Sequence, residues 1–247
     1  MSAAALCRRL ERLADTDGLR LGVDVDGVLA HFNHGFLAVL TEVAGPPARP
    51  IRQSWMPDTW HWPPTLGYDP EVIETAWRRV ATSPDFWRGL PALPGASACL
   101  AALSRLARGH AGRQADVYFL TRRLGETAKA QTEQWLLDHG YHDTPTVLVT
   151  PGSKGWVARA LALSMLIDDY PDNLVQTIRS SPETLIILKL APYNRAAVPD
   201  LARAGGHRFL TVHGLEPLTE ALISLCASSR RAPRGTATTT SSISKAS

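Results

Sequence analysis

The feature that most restricts the fold of this chain is a repeated alternation of short apolar runs with longer amphipathic segments. Runs at 20–26, 116–121, 145–149, 164–168 and 184–190 read as strands, with 208–212 as a weaker sixth. Segments at 95–108, 126–139, 154–163, 172–180, 197–204 and 215–227 carry apolar residues at helical spacing. Strands that are apolar throughout and joined by helices fit a parallel sheet covered on both faces. The expectation is an α/β fold with a Rossmann-like three-layer core. Sites in such folds lie at the carboxyl ends of the strands. The polar residues that close each run are therefore the ones to collect.

The first run closes in Asp24-Val25-Asp26-Gly27. Alternation along a strand puts Asp24 and Asp26 on one side. Two such carboxylates repel, and a pair of this kind calls for a cation or a shared proton. Alone, the stretch reads equally well as a strand ending in a polar turn, which Gly27 would permit.

The other strand ends add to it. The strand 116–121 ends in Thr121, followed by Arg122 and Arg123. Gly152-Ser153-Lys154 opens a helix, and the strand 164–168 runs into Asp168-Asp169. Singly, each has a plain reading: a strand-end hydroxyl, a surface lysine, a capping turn. Together at one sheet edge they suit phosphoryl transfer. Asp24 can attack phosphorus, and Asp26 can protonate the leaving oxygen and later activate water. Asp24, the Asp26 main-chain carbonyl, and Asp168 or Asp169 can hold a hard divalent cation, with magnesium the expected one. Thr121 and Lys154 can bind phosphate oxygens, with Lys154 acting as a point charge beside a helix start.

Between Gly45 and Pro94 the composition changes. This stretch holds more than half of the chain's 18 prolines and five of its seven tryptophans. Prolines interrupt regular elements, so part of it is loop. Its clearest helix is 70–81, opened by Asp69 and Pro70. The expected organisation is a core of 1–32 and 94–228, a helical, Trp/Pro-rich cap at 33–93, and a Ser/Thr-rich basic tail at 229–247 that has the composition of disorder.

Bulk charge narrows the partners. The formal net charge is +3, but 229–247 carries four basic residues and no acid, leaving −1 for the rest. A near-neutral body argues against a stable nucleic-acid partner. Cys7, Cys99 and Cys226 are scattered and form no CxxC pair, so no disulfide framework is read and a reduced, cytoplasmic setting is expected. No apolar run reaches the roughly 18 residues of a membrane span. His31, His34 and His61 show no metal-ligand spacing, so no transition-metal site is read from them.

Asp24-Val25-Asp26-Gly27-Val28, Thr121, Lys154 and Asp168-Asp169 together resemble the four motifs of haloacid dehalogenase superfamily phosphatases. The resemblance covers about residues 18–190. Within that superfamily, DVDGVLAHFNHGFL (24–37), AWRRVATSPDFWRGLPALPGA (76–96) and LIDDYPDN (166–173) resemble the 5′(3′)-deoxyribonucleotidases. That implies magnesium, an aspartyl-phosphate intermediate, a cap inserted after the first strand, and nucleoside monophosphate substrates. It also implies that Phe32 faces the base, with Trp60 or Trp62 and Trp77 as further cap aromatics. These tryptophans read equally well as the filling of a small cap core. Two departures touch the substrate. Arg122 stands where serine is usual, either contacting phosphate or turned outward, and Tyr170 stands where arginine is frequent. Phosphatases for another small ester or a nucleic-acid 3′ phosphate stay open, as do a non-catalytic phosphoryl-ligand binder and a homodimer.

Overall fold

The computed structural model describes residues 3–48, 50–52, 55–109, 114–149 and 154–227. The Gly152-Ser153 pair and the 229–247 tail lie outside them. Six strands form one parallel sheet: β1 (Leu19–Asp24), β2 (Ala115–Thr121), β3 (Thr146–Val149), β4 (Met165–Asp168), β5 (Leu185–Lys189) and β6 (Phe209–Val212). The spatial order is β3-β2-β1-β4-β5-β6. Chain order runs outward from β1 in both directions, so the topological switch lies between β1 and β4. A ligand crevice is expected there.

β4 and β5 are buried at every position, as strands covered on both faces must be. Pleating sorts their side chains. Met165, Ile167, Leu185 and Ile187 join Leu21, Val23 and Phe119 in the larger core, which includes Leu6 and Leu10 of α1 (Ala3–Asp17), Leu100 and Leu103 of α4 (Ala96–Ala107), and Leu218 and Leu222 of α9 (Glu216–Ala227). Leu166, Ile186 and Leu188 turn to the opposite face. There they meet Ala158 of α6 (Lys154–Ala160), Leu174 of α7 (Pro171–Ser180) and Leu201 of α8 (Val198–Gly205). A Cβ on Gly155 would fall 2.6 Å from the backbone carbonyl of Gln176, so glycine there lets α6 lie close on α7. α5 (Ala128–Asp138) completes the helices of the core.

Between β1 and α4 the chain makes a long excursion through α2 (Phe32–Ala44), a 3₁₀ turn (Pro63–Leu66) and α3 (Pro70–Thr82). The Asp69 carboxylate caps α3, accepting from the Val72 N–H at 3.0 Å. The outgoing and returning segments run side by side. His31 N–H donates to the Pro91 carbonyl at 2.7 Å, and Leu93 N–H to that of Leu29 at 2.7 Å.

Local corrections follow from backbone geometry. β1 stops at Asp24, short of the expected residue 26. The chain turns at once, with the Leu29 and Ala30 N–H groups both donating to the Val25 carbonyl at 2.8 Å. α1 runs to Asp17 and ends against Gly18 at φ +79°. A 3₁₀ turn at Pro192–Ala197 precedes α8, where the sequence pattern marks no element. Among the described residues, no helix is long and apolar enough to cross a membrane.

Candidate active site

Asp24 ends β1, Thr121 ends β2 and Asp168 ends β4, three adjacent strands in the sheet. Parallel register brings their carboxyl ends to one edge. Lys154, the first residue of α6, reaches in from beyond β3. Its ammonium lies 2.7 Å from Asp24 Oδ1 and 2.8 Å from Asp168 Oδ2. All three side chains are buried.

Asp168 is the most tightly held. The Tyr170 N–H donates to its Oδ1 at 2.8 Å, and Asn173 Nδ2 donates to both oxygens at 3.2 and 3.0 Å. The neighbouring Asp169 accepts a very short hydrogen bond from the Tyr193 hydroxyl. Asn194 supports this loop by donating to the main-chain carbonyls of Asp169 (2.8 Å) and Lys189 (2.9 Å). Gly27 makes room for it. Its φ is +77°, and a Cβ would fall 1.8 Å from Asp169 Oδ2. The glycine thus allows both the turn and the close approach of a carboxylate.

Asp24, Asp168 and Asp169 bring one oxygen each within 4.8 Å of one another. Lys154 sits between Asp24 and Asp168 and Lys189 acts on Asp169, so three carboxylates face two ammonium groups and the cluster stays short of positive charge. Burial and the Asp168 charge push the Asp24 carboxyl well above its ordinary range, though Lys154 pulls the other way. Burial, then Asp168, pushes Asp169 up to about 7. Burial acts to lower the Lys154 ammonium, but Asp168 and Asp24 overcome it and hold it above its usual value. An all-oxygen donor set with excess negative charge suits a hard divalent cation and is poor for a soft one.

Asp26 stands apart from this cluster. Arg123 forks onto it, Nη2 donating to Oδ1 at 2.8 Å and Nε to Oδ2 at 3.0 Å. Thr121 Oγ1 also donates to Oδ2, at 3.2 Å. The Thr121 hydroxyl, expected to meet phosphate, is therefore engaged with Asp26 and does not line the crevice. Arg122 does line it, and is exposed. Alternation past β2 places Thr121 and Arg123 on one side and Arg122 on the other, so parity was the signal that could have picked Arg123. Tyr193 and Asn194 had no such signal, because they arrive from the 3₁₀ turn after β5, where the sequence pattern marks no element.

Over these carboxylates lies a cavity of about 850 Å³. Phe32, Trp60, Trp62 and Trp77 all line it. Phe32 stacks on Trp77 with centroids 5.6 Å apart, and Trp77 meets Phe36 at 4.5 Å. Trp62 is buried, its indole N–H donating to Asn33 Oδ1 at 2.8 Å. Trp60, 43% exposed, stacks on Tyr170 at 4.4 Å and so joins the excursion to the sheet edge. His61 lines the cavity as well; His31 and His34 pair with each other and do not.

A family model described as 5′ nucleotidase, deoxy (Pyrimidine), cytosolic type C protein matches residues 19–207. No curated protein matches the chain. Among solved structures, a haloacid dehalogenase-like hydrolase from Streptococcus pneumoniae is similar at 12% identity and a TM-score of 0.47, over 82% of this chain and 98% of that one. A haloacid dehalogenase-like hydrolase from Xanthomonas campestris is similar at 13% identity and 0.43, over 85% and 96%.

Proposed function

The chain belongs to the deoxy (pyrimidine), cytosolic type C 5′-nucleotidase family, within the haloacid dehalogenase superfamily of phosphatases, and we propose that it hydrolyses 5′-(deoxy)nucleoside monophosphates in a magnesium-dependent reaction. Family membership makes it a phosphoric monoester hydrolase acting on a small phosphate ester. The observation that carries the finer reading is the buried Asp24–Asp168–Asp169 cluster at the floor of an aromatic-lined cavity. The carboxylates supply the chemistry and the rings a face for a base.

Asp24 attacks phosphorus, and the bond from phosphorus to the 5′ oxygen breaks. Asp26 gives its proton to that oxygen as it leaves. In the second step Asp26 takes a proton from water, which attacks the aspartyl phosphate, releasing inorganic phosphate and restoring Asp24. The Lys154 contact on Asp24 and the Val25 N–H bond both fall on Oδ1, which supports Oδ2 as the attacking oxygen. Lys154 and Arg122 meet the phosphate oxygens, with the Thr121 hydroxyl in support through Asp26. Asp24, Asp168, Asp169 and the Asp26 main-chain carbonyl would hold the magnesium. When bound, magnesium screens the phosphate's negative charge from the carboxylates. Phe32 and Trp77 offer a stacking face worth about 1–3 kcal/mol per base. The excursion over residues 33–93 serves as the cap that keeps bulk water out during the first step.

A panel of nucleoside monophosphates and sugar phosphates, assayed for phosphate release with and without magnesium, tests this. Preferred turnover of nucleotides, lost on chelation, is the expected result. Equal or better turnover of sugar phosphates would defeat the nucleotide assignment, and turnover unchanged by chelation would defeat the magnesium.

A further inference from the structure

We propose that Arg123 is a positioning residue for Asp26, aiming its Oδ1 at the leaving oxygen of the substrate. The proposal rests on the acid role given to Asp26 above. Asp26 lines the cavity and Arg123 does not, so Arg123 reaches the substrate only through Asp26.

The guanidinium is itself fixed on every side. Its side chain is 0% exposed. Nη1 donates to Thr132 Oγ1 at 2.9 Å, and that hydroxyl donates in turn to the Ala128 carbonyl within α5 at 2.6 Å. Its Cζ lies over the Trp87 ring, 4.9 Å from the centroid. Trp87 is pinned by its indole N–H, which donates to the Leu124 carbonyl at 2.9 Å, and by its main-chain N–H, which donates to Gln131 Oε1 at 2.8 Å. A planar fork held this way fixes both the distance and the rotation of the carboxylate, which a single ammonium cannot do.

The donor count distinguishes the two oxygens. Oδ2 accepts from Arg123 Nε and Thr121, whereas Oδ1 accepts only from Arg123 Nη2. A carboxylate has about two acceptor sites on each oxygen. Oδ2 is filled and Oδ1 retains one site, so the proton given to the leaving group is carried on Oδ1. As Asp24 bonds to phosphorus, that proton passes to the departing alkoxide and Asp26 is left as the carboxylate in the fork.

Leaving-group dependence separates this role from a structural one. Benzyl phosphate and p-nitrophenyl phosphate are similar in size, but only the benzyl alkoxide needs a proton to leave. Measured as kcat/KM, Arg123→Met should lose about 10²-fold on benzyl phosphate and only a few fold on p-nitrophenyl phosphate. Arg123→Lys keeps the charge without the fork and should show the same selective loss. Equal loss on both esters, or no loss, in Arg123→Lys overturns the proposal, and this variant decides the matter if Arg123→Met does not fold. Asp26→Asn is run alongside. A selective loss in Asp26→Asn without one in Arg123→Lys defeats the positioning role alone; no selective loss in Asp26→Asn defeats the acid role beneath it.

Discussion

Asp24 and Asp26 leave the same strand end and enter opposite electrostatic company. Asp24 shares one lysine with Asp168 and lies beside Asp169, in a cluster with more negative charge than the protein supplies positive charge to meet. Asp26 has an arginine to itself, in a two-bond fork with a threonine beside it. The first arrangement stores repulsion that a cation can relieve. The second is held rigid by its fork of hydrogen bonds instead. The nucleophile role proposed for Asp24 suits the first, and the acid role proposed for Asp26, which needs a fixed aim, suits the second.

Breaking each side should give opposite signatures. The largest effect is expected from Asp24→Asn: phosphate release falls by about 10³-fold or more, while thermal stability in chelator stays at or above the unmodified protein's. A fall in stability would mean that the Asp24 side is not short of positive charge. Asp26→Asn should do the reverse to stability. It leaves the buried Arg123 guanidinium without its counter-charge, at a cost of about 3–5 kcal/mol in urea unfolding. A change below about 1 kcal/mol would mean that Arg123 finds its compensation elsewhere.

The aromatic wall sharpens the comparison, because it should touch neither signature. Trp77→Ala is expected to raise KM for a nucleoside monophosphate by about 5- to 150-fold, the equivalent of about 1–3 kcal/mol of stacking. Its effect on p-nitrophenyl phosphate should be much smaller. A parallel loss on both would make Trp77 cap filling and nothing more.

The smallest effect concerns pH. The Asp169 carboxyl is raised to about 7 by burial and by Asp168. An acid raised on folding contributes stability that is complete below its unfolded value, near 4, and is lost as pH rises through its folded value. Protein freed of metal should therefore lose stability between about pH 4 and pH 7, and saturating magnesium should flatten that slope. A melting temperature in chelator that stays level or rises over the window would remove Asp169 from the strained cluster.

Much of the sheet edge was readable beforehand, because parallel strands leave apolar runs and three of those runs close in polar residues that gather at one edge. Thr121 and Asp168 fall at the expected strand ends for that reason, and Asp24 closes β1 two residues before the expected end. The residues that hold them were not readable in the same way. Tyr193 reaches Asp169 from 24 residues further along the chain, and Thr132 reaches Arg123 from the next helix. The same holds for Thr121, whose residue type suits phosphate but whose hydroxyl is taken by Asp26.

By itself the sequence determined the layers and the edge at which polar groups gather. Those depend on hydrophobic period and on where each run stops, which are local quantities. Only the tertiary structure decided which cation answers which carboxylate. Lys154 goes to Asp24 and Asp168, Arg123 goes to Asp26, and Arg122 lines the crevice. Pairing between charges depends on distances of a few ångströms between residues far apart in the chain, and such distances exist only once the sheet has closed on its helices.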